Sequence, residues 1–189
     1  DDGTTTRSSP VQIGSLTTWA SIDSGHKQTV AVKTDGTLWA WGDNTNGRLG
    51  MDDTVDRSSP VQVGALTDWS NVKSSRDHIL GIKTDGSLWG WGYNNVGQIG
   101  QNDTADRSSP VQIGSLTDWS SSQPSARSNV SAVIKTDGTL WVWGKGNNGG
   151  LGLGNTTHRS SPVQLGHHTD WLRADTGDYG HLSIRKAYE

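Results

Sequence analysis

The feature that most constrains the fold is an internal repeat with a period of about fifty residues. The hexapeptide Arg-Ser-Ser-Pro-Val-Gln occurs four times, and its copies begin at Arg7, Arg57, Arg107 and Arg159. A tryptophan follows each copy at the same distance, at Trp19, Trp69, Trp119 and Trp171. Such self-similarity indicates stacked units that bury their apolar faces against one another. We therefore predict a single repeat domain over residues 1–189, with units at about 7–56, 57–106 and 107–158 and a partial unit at 159–189.

Each unit predicts four short β-strands, which in the first unit are Trp19–Ile22, Thr29–Lys33, Thr37–Trp41 and Pro60–Val63. The second and third strands are joined by an Asp-Gly turn, which is a strong hairpin signal between alternating apolar residues. In the third strand Trp39 and Trp41 are two residues apart, so both rings are expected on one face, with Leu38 and Ala40 on the other. Pro60 is expected to open the fourth strand, where its missing N–H is least costly. Both faces are apolar, as in a sheet that packs between neighbours.

The composition favours an all-β fold over a helical one. The chain has 25 Gly, 10 Trp and no Phe, and 30% of its residues are hydrophobic. This composition cannot supply the regular apolar stripes of packed helices. Many glycines between short runs that contain Trp and Val indicate tight turns between strands. Because a four-stranded sheet repeated about every fifty residues is typical of a propeller blade, we predict an all-β fold class, a β-propeller of antiparallel four-stranded blades.

The number of blades raises the question of how the ring closes. The chain predicts about 15 strands, or about 3.75 blades, whereas propellers close with about 4–8 blades. It is therefore part of a larger ring, a ring closed by a second chain, or a small ring whose last blade lacks a strand. Open ends expose unpaired strand edges, so we favour self-association or ring completion by further sequence. Residues 2–7 resemble the tail of an ordinary repeat, which suggests preceding sequence, and residues 186–189 depart from the pattern, as expected at a C-terminus.

The charge and the absence of cysteine exclude several functions. The net charge is −3, which argues against a nucleic-acid or other polyanion binder with a large excess of basic residues. The chain has no Cys, which excludes disulfides, thiolate metal ligands and a cysteine nucleophile. No apolar run approaches the roughly 20 residues that span a bilayer, so no membrane insertion is expected.

The candidate catalytic and metal-binding residues are better interpreted as residues with a structural role. The Asp of the hairpin turn recurs at Asp35, Asp85 and Asp137. A catalytic site is one constellation rather than three copies, so we interpret these as turn residues. His167, His168 and Asp170 form a metal-like cluster. Adjacent residues of an extended chain point to opposite faces, so we interpret that segment as a solvated linker. We expect a protein that is not an enzyme and needs no metal or cofactor.

The units differ mainly on one side of the predicted blades. Loops between strands one and two, and between strands three and four, emerge on this side, which we call the variable face: 23–28, 73–78, 122–129, 175–180, 45–48, 95–98 and 145–150. The opposite, constant face carries the Lys-Thr-Asp-Gly turns and the Gly-Ser-Leu-Thr-Asp linkers. Loops on a rigid scaffold commonly carry recognition, although unconstrained loops also drift. The candidate binding residues are Asp23, Lys27, Arg48, Lys73, Arg76, Asp77, Tyr93, Arg127, Asn129, Lys145, Asp178 and Tyr179.

The run Asp-Gly-Thr-Leu-Trp-Ala-Trp-Gly at 35–42, followed by Asn-Gly-Arg-Leu-Gly at 46–50, resembles the repeat of the regulator of chromosome condensation family. The match extends over essentially the whole chain. In that family the repeats form blades of a ring, usually of about seven. The near-identical units and their linkers are most similar to repeat proteins of bacteria and their phages, rather than to the eukaryotic nuclear factor.

Besides residues 186–189, the chain departs from the family pattern at the histidine position and in the third unit. The family histidine is present only at His78, whereas Gln28 and Val130 stand at the matching positions. The third unit carries two extra residues, so we expect a longer loop at Ser120–Asn129.

The resemblance implies a scaffold that binds a protein or a glycan. For bacterial and phage versions it implies a structural or adhesive component of a virion, a tail fibre or a cell surface, and hence a virion or extracellular location. A first alternative is a guanine-nucleotide exchange factor that regulates a GTPase, although no wedge-like insertion is visible. A second is a secreted module that inhibits an enzyme through aromatic loops, although Tyr93 and Tyr179 are the main aromatic residues of these loops.

Overall fold

The computed structural model describes residues 8–9, 12–13, 18–120, 124–177 and 182–186, the last of these as backbone only. The first blade contains β1 (Trp19–Ser24), β2 (Gln28–Lys33), β3 (Leu38–Gly42) and β4 (Arg57–Gln62). The second contains β5 (Trp69–Ser74), β6 (His78–Lys83), β7 (Leu88–Gly92) and β8 (Arg107–Gln112). The third contains β9 (Ser125–Arg127), β10 (Val130–Ile134), β11 (Leu140–Gly144) and β12 (Arg159–Gln164). A two-stranded sheet of β13 (Trp171–Thr176) and β14 (Leu182–Lys186) follows.

Each of the first three sheets is an antiparallel meander with its strands in chain order. The first strands of successive blades, β1, β5, β9 and β13, lie next to one another and form the inner wall of the array. The fourth strands therefore form the outer rim. The described residues contain these fourteen strands and two short 3-10 turns, Thr45–Gly47 and Asn147–Gly149, which confirms the all-β propeller. Half of the first Arg-Ser-Ser-Pro-Val-Gln copy, in which a strand was expected, lies outside the described residues.

The predicted start of the fourth strand was wrong. The fourth strand begins at Arg57 rather than at Pro60. Its register with β3 shifts between Gly42, which pairs with Arg57, and Ala40, which pairs with Val61. Pro60 lies inside this irregular stretch of an outer strand, where a missing N–H removes little pairing.

The expected long loop at Ser120–Asn129 was also wrong in part. Residues Ser125–Arg127 form the inner strand β9, and Arg127 pairs with Val130, so a tight two-residue turn joins β9 to β10. The extra length of the third unit therefore precedes the inner strand. It does not enlarge the loop on the variable face.

The core lies between blades. Trp39 and Trp41 both contact Trp19, with ring centroids 6.1 and 6.0 Å apart, which confirms that they share one face. The first core cluster joins an aliphatic face of blade one, including Val30 and Leu38, to a second face that carries Trp residues in blade two. Equivalent clusters join blades two and three, and blade three and the last sheet. Each interface thus places the aliphatic face of one blade against the tryptophan face of the next.

The tryptophan face of blade one is less covered than its equivalents. Ile22 of β1 is 59% exposed, whereas Val72, at the same position of β5, is 4% exposed. Val72 is covered by blade one, and nothing among the described residues covers Ile22 in the same way. In the described part of the chain no helix is long and apolar enough to cross a membrane.

Candidate binding face

The constant face is built from one side-chain relay that occurs three times. In blade one, Oδ1 of Asp35 accepts hydrogen bonds from the backbone N (3.0 Å) and Oγ1 (2.7 Å) of Thr37. Thr37 Oγ1 in turn accepts a hydrogen bond from Trp39 Nε1 at 2.8 Å. The hydrogen bond from the Thr37 hydroxyl is the main cause that lowers the pKa of Asp35 below its usual value. These contacts support the interpretation of the turn aspartates as structural residues.

A buried lysine also recurs behind this face. Lys83 Nζ lies 4.2 Å from the centroid of the Trp89 ring and 3.2 Å from Asp68 Oδ2. Lys135 repeats both contacts in blade three, with Asp118 3.2 Å away. In blade one the position of Asp68 is held by Thr18, and Lys33 Nζ lies 3.5 Å from the Trp39 ring centroid. Blade one therefore keeps the cation–π contact without the carboxylate.

The variable face brings its two sets of loops together, as predicted. A backbone hydrogen bond joins the end of the first loop to the start of the second in each complete blade: Asp43 N to Lys27 O (3.0 Å), Tyr93 N to Asp77 O (2.9 Å) and Lys145 N to Asn129 O (2.8 Å). Three candidate residues belong to strands rather than loops. Asp23, Lys73 and Arg127 lie in the last two residues of the inner strands β1, β5 and β9, because the first two of these strands extend beyond the predicted Ile22 position.

A cavity of about 900 Å³ opens at the centre of this face. Its lining comes from all three complete blades and from β13, and it includes the candidates Asp23, Lys73, Arg76, Arg127, Asn129 and Lys145. Lys27, Arg48, Asp77 and Tyr93 lie outside the lining. Asp178 and Tyr179 fall outside the described residues. The structure thus gathers half of the predicted binding residues around one space.

Several candidates also hold neighbouring blades together, a role that the sequence did not reveal. Asp23 of blade one contacts Lys73 Nζ at 3.3 Å, and its Oδ2 accepts a hydrogen bond from the backbone N of Ser74 at 2.7 Å. Arg48 is buried, and its Nη1 lies 3.0 Å from Asp77 Oδ1 in blade two. These contacts tie blades one and two across the variable face.

Residues at the position of the family histidine bridge blades in a different way. Gln28 Nε2 donates hydrogen bonds to the backbone oxygens of Ser75 (3.0 Å) and Arg76 (3.1 Å) in the next blade. His78 instead contacts Ser131 Oγ. Sequence reasoning noted these positions only as departures from a family pattern. The signal available in the sequence was that Gln28 and His78, two different polar residues, stand at equivalent positions of a strand that is otherwise mostly apolar.

The metal-like cluster of the linker forms no site. The His168 ring packs edge-on against Trp171, with ring centroids 5.9 Å apart. Within the described ranges no three His, Asp or Glu side chains come close enough together to hold a metal ion. The segment therefore contributes packing next to the last sheet.

Repeated antiparallel blades, interleaved tryptophan and aliphatic faces and a central loop-lined cavity define a β-propeller repeat protein. The model of the Regulator of chromosome condensation (RCC1) repeat matches residues 35–82, 85–128 and 137–181, and a second model of this repeat matches 19–48 and 69–98. The chain belongs to this family, because these matches extend over more than half of its length. No curated protein sequence matches it significantly.

Three solved structures share the fold of this chain. Human WBSCR16 superposes with a TM-score of 0.79 at 19% identity, over 96% of this chain and 49% of that protein. Prp20p of Saccharomyces cerevisiae, studied for its binding to Gsp1p and histones, superposes with a TM-score of 0.76 at 19% identity, over 93% of this chain and 45% of that protein. The yeast RCC1 (Prp20) bound to Kap60 gives the same TM-score at 20% identity, with 93% and 44% covered. The chain thus spans about half the length of these proteins.

Proposed function

We propose that this chain is a non-enzymatic β-propeller scaffold that binds a protein partner through its variable face. The observation that carries the proposal is the convergence of loops from three blades and the end of β13 around one cavity. Rigid strands hold these loops, and such a scaffold commonly presents recognition residues. The likeness to Prp20p, which binds Gsp1p and histones, supports a protein as the partner.

Alanine variants test the choice of face. A fourfold variant at Lys27, Arg76, Tyr93 and Arg127 is expected to lose partners that the immobilised chain captures from its natural source. The matched control replaces exposed threonines of the constant-face turns, Thr34, Thr84 and Thr136, by alanine. Loss of capture by the control variant alone would show that the constant face binds the partner.

More specifically, we propose that the chain is a structural or adhesive part of a phage virion, a tail fibre or a bacterial surface. In that role its ligand is a protein or a glycan. The support for this proposal is the regular repetition of similar units, which suits a rigid assembly part. Native mass spectrometry of the protein from its natural source tests it. Many copies in a large assembly are expected, and a small complex with one soluble partner would contradict the proposal.

Ring completion, by a second copy or by further sequence, is part of the same proposal. The exposed Ile22 on the tryptophan face of blade one supports it, since the equivalent faces of later blades are covered. Ile22→Asp is expected to abolish self-association in analytical ultracentrifugation if a second copy covers this face. Unchanged sedimentation of the variant beside a self-associating parent would contradict closure through this face.

Regulation of a GTPase by nucleotide exchange is the second candidate, and the likeness to Prp20p favours it. Release of a fluorescent GDP analogue from Gsp1p measures this activity directly. Faster release of the analogue in the presence of substoichiometric amounts of the chain would favour nucleotide exchange over passive binding as its function.

A further inference from the structure

Two loops of the variable face contain the same chemically labile dipeptide, Asn-Gly. It occurs at Asn46–Gly47 in blade one and at Asn148–Gly149 in blade three, whereas Val96 stands at the equivalent position of blade two. Asparagine is a labile residue, and a following glycine favours its deamidation because no Cβ shields the glycine nitrogen. The chain therefore places one reactive group in two different surroundings.

The two Asn-Gly turns have the same backbone conformation. The φ angles of Asn46 and Asn148 are 61° and 57°, and both residues lie in the left-handed region. In each turn the glycine N–H donates to the carbonyl oxygen three residues earlier, at 3.0 Å for Gly47 and 3.1 Å for Gly149. The glycine nitrogen can attack the asparagine side chain only after such a turn has opened locally. The contacts that resist opening therefore determine which dipeptide reacts.

The turn of blade one is held by blade two. Asn46 is half-buried, and its Nδ2 donates a hydrogen bond to Asp106 Oδ2 at 2.8 Å. Gly47 is buried beneath Ser108 of the rim strand β8, so closely that a Cβ on this glycine would overlap the Cα of the serine. Opening of this turn must therefore break a side-chain hydrogen bond and a packing contact between blades.

The turn of blade three has no such cover in the described part of the chain. Asn148 and Gly149 are both exposed, and no described residue lies within 4 Å of a Cβ built on Gly149. The Asn148 side chain makes no hydrogen bond with a described residue. The sheet that follows blade three consists, among the described residues, of the two inner strands β13 and β14. Opening of this turn therefore breaks little more than its own backbone hydrogen bonds.

We propose that Asn148 is a site of spontaneous deamidation, and that blade two protects Asn46 from the same reaction. The backbone nitrogen of Gly149 bonds to Cγ of Asn148 and loses its proton, while the C–N bond of the side-chain amide breaks and ammonia leaves. Water then opens the resulting succinimide at one of its two carbonyl groups, which gives aspartate or isoaspartate. Water is the one co-reactant, and nothing is oxidised or reduced. The product adds a negative charge to the loop 145–150 of the variable face.

Peptide mass spectrometry of the intact chain, incubated at neutral pH, measures both sites in one sample. Deamidation raises the mass of a peptide by one unit, and chromatography separates the aspartate and isoaspartate products. The rate at Asn148 is expected to exceed the rate at Asn46 by about tenfold or more, because opening at Asn46 also breaks contacts with blade two. Incubation in urea is the matched control, since the two rates should converge when the chain is unfolded.

Asp106→Asn tests the protection of Asn46 directly. Asp106 Oδ1 accepts a hydrogen bond from the backbone N of Asn94 at 2.8 Å, and an asparagine keeps an oxygen for this contact. An amide nitrogen replaces Oδ2, so the hydrogen bond from Asn46 Nδ2 is lost. The rate at Asn46 is expected to rise by about fivefold. The rate at Asn148 should not change, and unchanged thermal unfolding shows that the variant folds.

Three outcomes would overturn the proposal. The first is equal rates at the two sites in the folded chain, and the second is a difference that persists in urea, because local sequence would then be its cause. The third is an unchanged rate at Asn46 in Asp106→Asn, which would refute protection through this hydrogen bond. None of these measurements involves a partner, so their failure would leave the proposed scaffold function untouched.

Discussion

His78 Nε2 lies 2.8 Å from Ser131 Oγ, and this contact joins blade two to blade three inside the protein. The serine hydroxyl donates its own proton to the backbone oxygen of Gln98 at 2.8 Å. His78 must therefore be the donor through Nε2–H, and its Nδ1 is buried without a hydrogen-bond partner in the described residues. The ring is thus held neutral, in one tautomer, between two blades.

Acid is expected to destabilise the fold through His78. Burial lowers its pKa to about 3, from an ordinary value of 6.5. Below 6.5 the unfolded chain binds a proton that the folded chain does not, so stability falls as the pH falls from 6.5 towards 3. The loss is about 3 kcal/mol by about pH 4. Urea unfolding at a series of pH values measures it.

The control for this prediction is His78→Gln, since Gln28 occupies the same position in blade one. The variant should lose most of the pH dependence between about pH 6.5 and 4. An unchanged slope would assign the acid sensitivity to other groups.

Thr18→Asp is expected to stabilise the first blade by up to about 1 kcal/mol. Asp68 and Asp118 pair with buried lysines at 3.2 Å, and Thr18 stands at the same position opposite Lys33. The gain is modest, because the carboxylates of such pairs are partly exposed. The urea midpoint measures it, and Thr18→Asn, which has similar shape but no charge, should give no comparable gain.

Thr37→Val is expected to destabilise the fold by about 1–2 kcal/mol, because it removes the hydroxyl between Asp35 and Trp39. The pKa of Asp35 should rise towards its usual value, because its largest lowering contact is lost. Thermal unfolding and a carboxyl NMR titration measure the two effects. Thr37→Ser should preserve both, because Ser87 makes the same contacts in blade two. A similar loss in both variants would refute the role of the hydroxyl.

Gly47→Ala and Gly149→Ala are expected to differ although the two glycines share a backbone conformation. Their φ angles are 69° and 72°, so each substitution is strained by about 1 kcal/mol. A Cβ on Gly47 would also lie 2.4 Å from Ser108 Cα, whereas no described residue lies within 4 Å of one on Gly149. The clash should add about 1–3 kcal/mol at Gly47 alone. Equal melting temperatures for the two variants would contradict this packing.

The sequence was sufficient for the blades because their signals are local. Trp39 and Trp41 alternate within one strand, and the Asp-Gly turn fixes its hairpin partner. The contacts between blades could not be predicted in this way. The pairs Asp23–Lys73 and Arg48–Asp77 join residues of different units, and neither residue of a pair has a pattern that points to the other. Pro60 was misplaced for a similar reason, since the bulge that accommodates it depends on pairing with β3.

The unlike faces of each blade have a consequence for how copies of this chain can meet. In each described interface a tryptophan face packs against an aliphatic face, and two faces of the same type are not packed together. A dimer in which the tryptophan face of one copy meets the tryptophan face of the other would bring identical surfaces together, so it cannot reproduce the contact that holds the blades. Copies that use this contact must instead associate head to tail, a heterologous arrangement that ends only when the curvature brings the last copy back to the first.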